Sequence, residues 1–282
     1  MVARSAHKTR ARARVRLTGR QAARSNAMSM LARAGLAARG VMYGLIGIIA
    51  IQIALGSTHR QADRSGAVRL VAATPFGSVI LWLLVIGFAG LTLWRLSEAA
   101  YGAPGPGGQK TSQRLINLAK AVIYGFVTWG ILKFALGLGA PASSNKQSRD
   151  LTATAFRYAG GRFAVAIAGA VIVGMGLYLA YQAYRASFLR DLRMGSASPR
   201  TRKVVTWLGK AGGIARGVVF VTIGIFLVVA AINARPGQAK GIDSALVTLA
   251  HTPAGPWLLG LVALGLVMFG IYSCCDARWR RV

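Results

Sequence analysis

Acid is what this chain has least of. Six Asp and Glu stand against 35 Lys and Arg in 282 residues, a formal charge of +29. A soluble domain of this size carries about a quarter of its residues as charges of mixed sign; here 15% are charged and 54% are hydrophobic. The six acids, Asp63, Glu98, Asp150, Asp191, Asp243 and Asp276, include no closely spaced pair for acid–base hydrolysis. All are expected in loops or at helix ends, so no carboxylate is left in hydrocarbon for a proton relay. Histidine is nearly missing too. His7, His59 and His251 are isolated and cannot by themselves build a zinc site or paired haem ligands. The two cysteines, Cys274 and Cys275, are adjacent, which disfavours a disulfide between them and matches no metal-ligand spacing. There is no G-x-S-x-G elbow, and Gly108-Gln109-Lys110-Thr111 lacks the Gly-Lys adjacency of a phosphate loop. The chain is expected to be no enzyme and to hold no cofactor and no metal.

Long apolar runs are abundant. Crossing a bilayer core of about 30 Å takes roughly 20 apolar residues. Uncharged runs near that length occupy Gly40 to Thr58, Leu70 to Trp94, Phe163 to Tyr184, Gly217 to Ala234 and Ser244 to Cys275, and another begins at Ala121 and is broken only by Lys133. They predict an all-α polytopic membrane protein with six transmembrane helices. Residues 1–30 form a basic tail with too few apolar residues to fold.

The runs are internally related. Ala34-Gly35-Leu36-Ala37-Ala38-Arg39-Gly40-Val41-Met42-Tyr43 aligns without gaps to Ala211-Gly212-Gly213-Ile214-Ala215-Arg216-Gly217-Val218-Val219-Phe220, and Ala119-Lys120-Ala121-Val122-Ile123-Tyr124-Gly125 is a fainter copy. The second helix of each pair repeats as Thr74-Pro75-Phe76-Gly77 and Thr252-Pro253-Ala254-Gly255, with Gly161 as the middle equivalent. These define three two-helix repeats, at 31–101, 113–186 and 208–281. The A-x-x-A-R-G-V-x-[YF] start of the first helix, the threefold recurrence of the two-helix unit and the T-P-x-G entry to the second helix resemble the bacterial membrane family called domain of unknown function 1206. The resemblance implies three tandem two-helix units and six spans, and no activity, substrate or catalytic residue. The middle unit departs from the pattern at Lys120-Ala121 and has no Thr-Pro.

Orientation follows the basic residues of short loops. With the amino terminus inside, 21 of the 35 fall on the cytoplasmic side and eight on the outer side. Both termini are therefore expected in the cytoplasm of a bacterium, and the protein in its inner membrane. The units all share one orientation, as parallel repeats about an axis along the membrane normal.

Two sets of side chains stand out. Arg39, Lys120 and Arg216 open the first helix of each repeat, and Glu98, Gln182 and Asp276 close the second. An antiparallel hairpin would let Arg39 bond Glu98, Lys120 reach Gln182 and Arg216 bond Asp276, as structural clasps for charges that hydrocarbon penalises; the basic groups could instead reach phosphate headgroups. Gln52 and Lys133 share one repeat position about 20 Å further along the helix, a polar row that Val229 interrupts; Lys133 could line a path or snorkel outward. Small residues four apart, such as Gly40 and Gly44 or Ala170 and Gly174, favour close helix packing. Most tryptophans, Trp94 included, fall near span ends as interface anchors would.

The basic tail has no aromatic residue for base stacking, so anionic lipid headgroups, and no nucleic acid, are its expected partner. The functional expectation is a non-catalytic scaffold, accessory subunit or lipid-associated protein; the alternative is a transporter or channel with a path near Gln52 and Lys133.

Overall fold

The computed structural model describes residues 26–57, 61–103, 108–139, 142–195, 197–250 and 255–280. The three histidines, Thr252-Pro253-Ala254 and most of the basic tail lie outside them. Among the described residues nine α-helices fall into three sets of three: α1 (Asn26–Ala54), α2 (Arg64–Ala72) and α3 (Gly77–Tyr101); α4 (Thr111–Ala135), α5 (Ser144–Phe156) and α6 (Gly161–Tyr184); α7 (Pro199–Ile232), α8 (Ile242–Ala250) and α9 (Gly255–Trp279). In each repeat the first and third helices are long and apolar enough to cross a membrane, six in all. The short middle helix lies in the connection.

Two of the uncharged runs are thus longer than the spans they contain. Leu70 to Trp94 covers the end of α2 and most of α3, and Ser244 to Cys275 covers α8 and most of α9. Proline after threonine breaks the first at Thr74-Pro75. The glycine that follows has its own reason. A Cβ on Gly77 would stand 2.5 Å from the Val71 carbonyl, and one on Gly161 would fall on the Ala155 carbonyl. The chain doubles back beneath its own short helix, which leaves room only for hydrogen. That contact survives in the middle repeat, where the Thr-Pro is gone.

The long helices meet along seams of two kinds. The third helix of one repeat packs on the first helix of the next, as α3 on α4, α6 on α7 and α9 on α1; within repeats, α1 packs on α3 and α7 on α9. Packing of α9 on α1 brings the last repeat back to the first, so the spatial order is α4, α3, α1, α9, α7, α6. The two ends of this arc, α4 and α6, belong to the middle repeat and make almost no contact with each other.

Glycines set the closeness of two between-repeat seams. A Cβ on Gly40 would meet the Gly270 carbonyl at 2.7 Å and one on Gly270 the Gly40 carbonyl at 2.7 Å; Gly217 and Gly176 repeat this reciprocal contact at 2.8 Å. Seven residues along, Gly47 faces the Ala263 carbonyl and Gly224 the Gly169 carbonyl. Spacing of seven is the heptad of left-handed helix packing, and the expected spacing of four holds at Gly213 and Gly217, where a Cβ on Gly213 would meet Ala183 at 2.5 Å, but not at Gly44 or Gly174, where a Cβ would meet nothing within 4 Å. In the third seam the same positions are Thr92, Ala121 and Thr128, and the hydroxyls of Thr92 and Thr128 lie 3.4 Å apart.

A continuous aliphatic core, including Ile46, Ile49, Leu84, Val127, Leu246, Leu259 and Leu266, fills the space between the repeats. The outward surface is also apolar, with Phe126, Phe163, Ile167, Trp257 and Leu261 more than 60% exposed. Helices apolar on both faces suit a lipid surround.

Candidate functional site

Polar side chains gather at the two ends of the bundle. At the end bearing the short helices, the three repeats are tied head to tail. Asp63 caps α2 by accepting from the backbone N–H groups of Ser65 and Gly66 and with its other oxygen accepts from the Ser144 N–H at 2.7 Å. Asn145 accepts from the Gly241 and Ser244 N–H groups and donates to Asp243 at 3.0 Å. Asp243 accepts from the Ala62 N–H at 2.8 Å and so closes the circuit. Asp63 meets N–H groups at the starts of α2 and α5, the favourable end of a helix for a negative charge. Burial pushes the Asp243 carboxyl up from its usual pKa, against the Ala62 N–H, and the charge of Asp63 adds to the rise. This triangle consumes two of the six acids in holding three loops together.

The opposite end, where α1 begins and α9 ends, holds the expected clasp residues in a different pairing. Arg39 donates to Asp276 at 3.2 Å with both side chains buried. Asp276 also accepts from Arg280 at 3.0 Å, and Arg280 reaches Asp191 at 3.7 Å. Glu98 accepts from Arg95 at 2.6 Å, one turn away on α3, and Arg95 contacts Asn117 on α4 at 3.5 Å. Gln182 donates to the Tyr178 hydroxyl at 2.7 Å. None of the three within-repeat pairs forms: Arg39 is not bonded to Glu98, nor Lys120 to Gln182, nor Arg216 to Asp276. The expectation misplaced the partner because the closest seams run between repeats, so a basic residue on a first helix faces the acid of the preceding repeat.

That register leaves charges over. Lys120 faces the seam with α3, but Glu98 is taken by Arg95. Arg216 holds the same repeat position on α7, and on α6 Gln182 stands where the other repeats carry a carboxylate. Among the described residues no acid lies within 4 Å of either. Arg216 instead lies over aromatic rings, 5.0 Å from the Phe269 centroid, 5.5 Å from Phe220 and 5.9 Å from Tyr43. Arg39 shares the Phe269 ring at 5.4 Å. Trp94, expected as an interface anchor, is buried between Arg95 at 4.0 Å and Arg280 at 5.3 Å. Cations over ring faces are stabilised by the quadrupole, but a ring neutralises no charge. The Nε atoms of Arg39, Arg95 and Arg216 are buried without a hydrogen-bond partner.

Gln52 and Lys133 sit apart from this cluster, each in the final turn of its helix, at the short-helix end. Lys133 is exposed, with its ammonium 5.5 Å from the Trp129 ring. No hydrogen bond joins the two residues. A position in the last turn, and not deep in the outer half of the span, gives them no shared interior. Sequence reasoning missed Arg95 and Arg280. The one available signal was charge itself: Arg95 is a lone basic residue near the end of an apolar run, a placement that demands a partner.

Among the described residues no three His, Cys, Asp or Glu side chains cluster as metal ligands would. The arrangement defines a polytopic membrane protein of three parallel repeats, each two long helices and a short one, latched at one end by hydrogen bonds and at the other by buried ion pairs. The family model described as Domain of Unknown Function (DUF1206) matches three times, over 34–102, 117–186 and 211–280. The chain belongs to this family. It is similar to an uncharacterized protein of Bacillus subtilis (strain 168), YxxB, with 30% identity over 244 residues, 86% of this chain and 87% of the relative. No solved structure matches it.

Proposed function

We propose that the protein is a non-catalytic scaffold or accessory subunit of a bacterial inner membrane, with both termini in the cytoplasm. The observation that carries this reading is the filled centre. At the depth where a path between repeats would run, the space is occupied by Ile46, Ile49, Val127, Leu259 and Leu266. At the short-helix end Asp63, Asn145 and Asp243 join all three repeats, and at the other end Arg39 and Asp276 join the first to the last. Such a body offers a rigid shape to a partner rather than a route for a solute.

The reading is tested by solubilising native membranes in mild detergent and isolating the chain through a carboxy-terminal tag. A partner protein at fixed stoichiometry is expected; a chain that purifies alone, and that conducts solutes in proteoliposomes, would overturn the scaffold assignment.

The orientation rests on the 21 basic residues at the terminal end against eight at the other, since short loops rich in Lys and Arg are retained inside. In a variant with Cys274 and Cys275 changed to alanine, Ser57→Cys should react with a membrane-impermeant maleimide in intact cells. Gln109→Cys should react only after permeabilisation. The opposite pattern would place the termini outside.

A further inference from the structure

The middle repeat is unlike the other two where its long helices should meet. In the first repeat a Cβ on Gly35 would touch Leu91 at 2.6 Å and one on Gly87 would touch Ala38 at 2.6 Å; in the third, Gly212 lies against Phe269 and Gly265 against Ala215. The residues of α3 on that face, Leu91 and Trp94, are 0% and 3% exposed, and their counterparts on α9, Phe269 and Tyr272, are 5% and 6% exposed. The counterparts on α6, fourteen and seventeen residues after Gly161, are Met175 and Tyr178, which are 41% and 58% exposed. On α4 the counterparts of Gly35 and Ala38, Ile116 and Ala119, are both exposed, and Leu115 beside Ile116 is 61% exposed. An inner face that the first and last repeats bury is thus uncovered in the middle one.

The unpaired charges stand at the terminal end of this same opening. Lys120 is exposed on α4 and Arg216 is half-buried on α7, which α6 flanks. Tyr124, one turn along α4 from Lys120, is within charge range of Arg39, Arg95 and Arg216. Five cations, Arg39, Arg95, Lys120, Arg216 and Arg280, therefore share one end of the bundle with three carboxylates, Glu98, Asp191 and Asp276. All six acids of the chain are described and the other three lie elsewhere, so the excess is not neutralised by its own acids. Gln182, in the place where the other repeats carry Glu98 and Asp276, maintains that excess. It lies two residues, about 3 Å, from the end of its helix, a depth that phosphate groups of a lipid leaflet reach.

We propose that the open seam of the middle repeat binds an anionic phospholipid, its phosphate held between Lys120 and Arg216 and an acyl chain lying along Met175, Tyr178, Leu115 and Ile116. The two halves of the seam match the two halves of such a molecule. Positive charge without a protein partner meets the phosphate, through the charge-assisted bonds that Arg and Lys make best. The apolar face that lacks a helix meets the chain. A zwitterionic lipid brings its own cation to the phosphate and gains less from the excess.

The test uses the purified full chain in detergent, with lipid binding read by native mass spectrometry and folding by thermal unfolding. Phosphatidylglycerol is expected to bind one per chain with a Kd at least tenfold below that of phosphatidylcholine. Lys120→Gln and Arg216→Gln should each weaken it about tenfold, and the control Lys110→Gln should not. A Cβ on Gly174 would meet nothing within 4 Å, so Gly174→Phe should fold with an unchanged melting temperature and still lose the lipid by filling the chain's place. Equal binding of the two lipids, or wild-type affinity in the Lys120, Arg216 and Gly174 variants, would overturn the proposal. So would displacement of phosphatidylglycerol by inorganic phosphate at equal concentration, which would make the ligand a soluble anion.

Discussion

Replacing Asp276 by alanine is expected to cost about 3–5 kcal/mol of stability, because it removes one partner of a buried ion pair and leaves the other charge uncompensated. Asp276 is 1% exposed and accepts from Arg39 on α1 and Arg280 beyond α9. Without it two arginines would share an apolar site with no anion in contact except Asp191, whose side chain is 62% exposed. The bond to Arg39 also closes the arc, since α1 and α9 come from opposite ends of the chain. Thermal unfolding of the detergent-solubilised protein measures the loss, and a double-mutant cycle assigns it. Arg39 and Asp276 should couple by more than about 1 kcal/mol, the range for residues in contact, while Arg216 and Asp276 should be additive within about 0.5 kcal/mol. A cycle in which Arg216 couples to Asp276 and Arg39 does not would refute the between-repeat register.

The second large effect is steric. Gly176→Val and Gly217→Val should each abolish the α6–α7 seam, because the first added carbon already meets a backbone carbonyl of the facing helix at 2.8 Å. A backbone oxygen cannot rotate away as a side chain can, so the two helices must separate along their length. Overpacking of a tight core costs about 1–3 kcal/mol, and valine adds two further methyls to that. Gly40→Val and Gly270→Val should behave alike at the α9–α1 seam. Thr92→Ala, at the matching position of α3, trims a side chain in a seam already spaced for one, and should cost no more than about 1 kcal/mol, the ordinary worth of a polar contact. Yield and melting temperature of the five variants in one detergent decide the matter; valine tolerated at Gly217 would mean the seams are not this close.

Much of the architecture can be read from the chain. Six spans follow from apolar length, and three repeats from the recurrence of Ala-Arg-Gly-Val and of the glycine that opens each third helix. The depth of the clasp residues is legible as well, because rise per residue is fixed in a helix: Arg39, Lys120 and Arg216 do lie at the level of Glu98, Gln182 and Asp276. Their partners are not legible. Depth is a property of one helix, but the direction in which a side chain finds its neighbour depends on which helix stands there, and in the arc α1 and α7 each have two neighbours, one from their own repeat and one from the preceding repeat. Glycine pairs that admit backbone contact decide for the preceding repeat at Gly40 with Gly270 and at Gly217 with Gly176.

The middle repeat shows the same division. Sequence marks it as divergent at Lys120-Ala121, and cannot say what the divergence does. Tertiary structure converts it into an opening, by leaving α4 and α6 apart while every equivalent pair closes, and into an excess charge, by leaving Lys120 and Arg216 without an acid in contact. The scarcity of acid is fixed in the sequence and leaves most cations unmatched. Which of them go unmatched inside the bundle is decided by packing, because five cations and three carboxylates from all three repeats converge at one end only when the arc has formed.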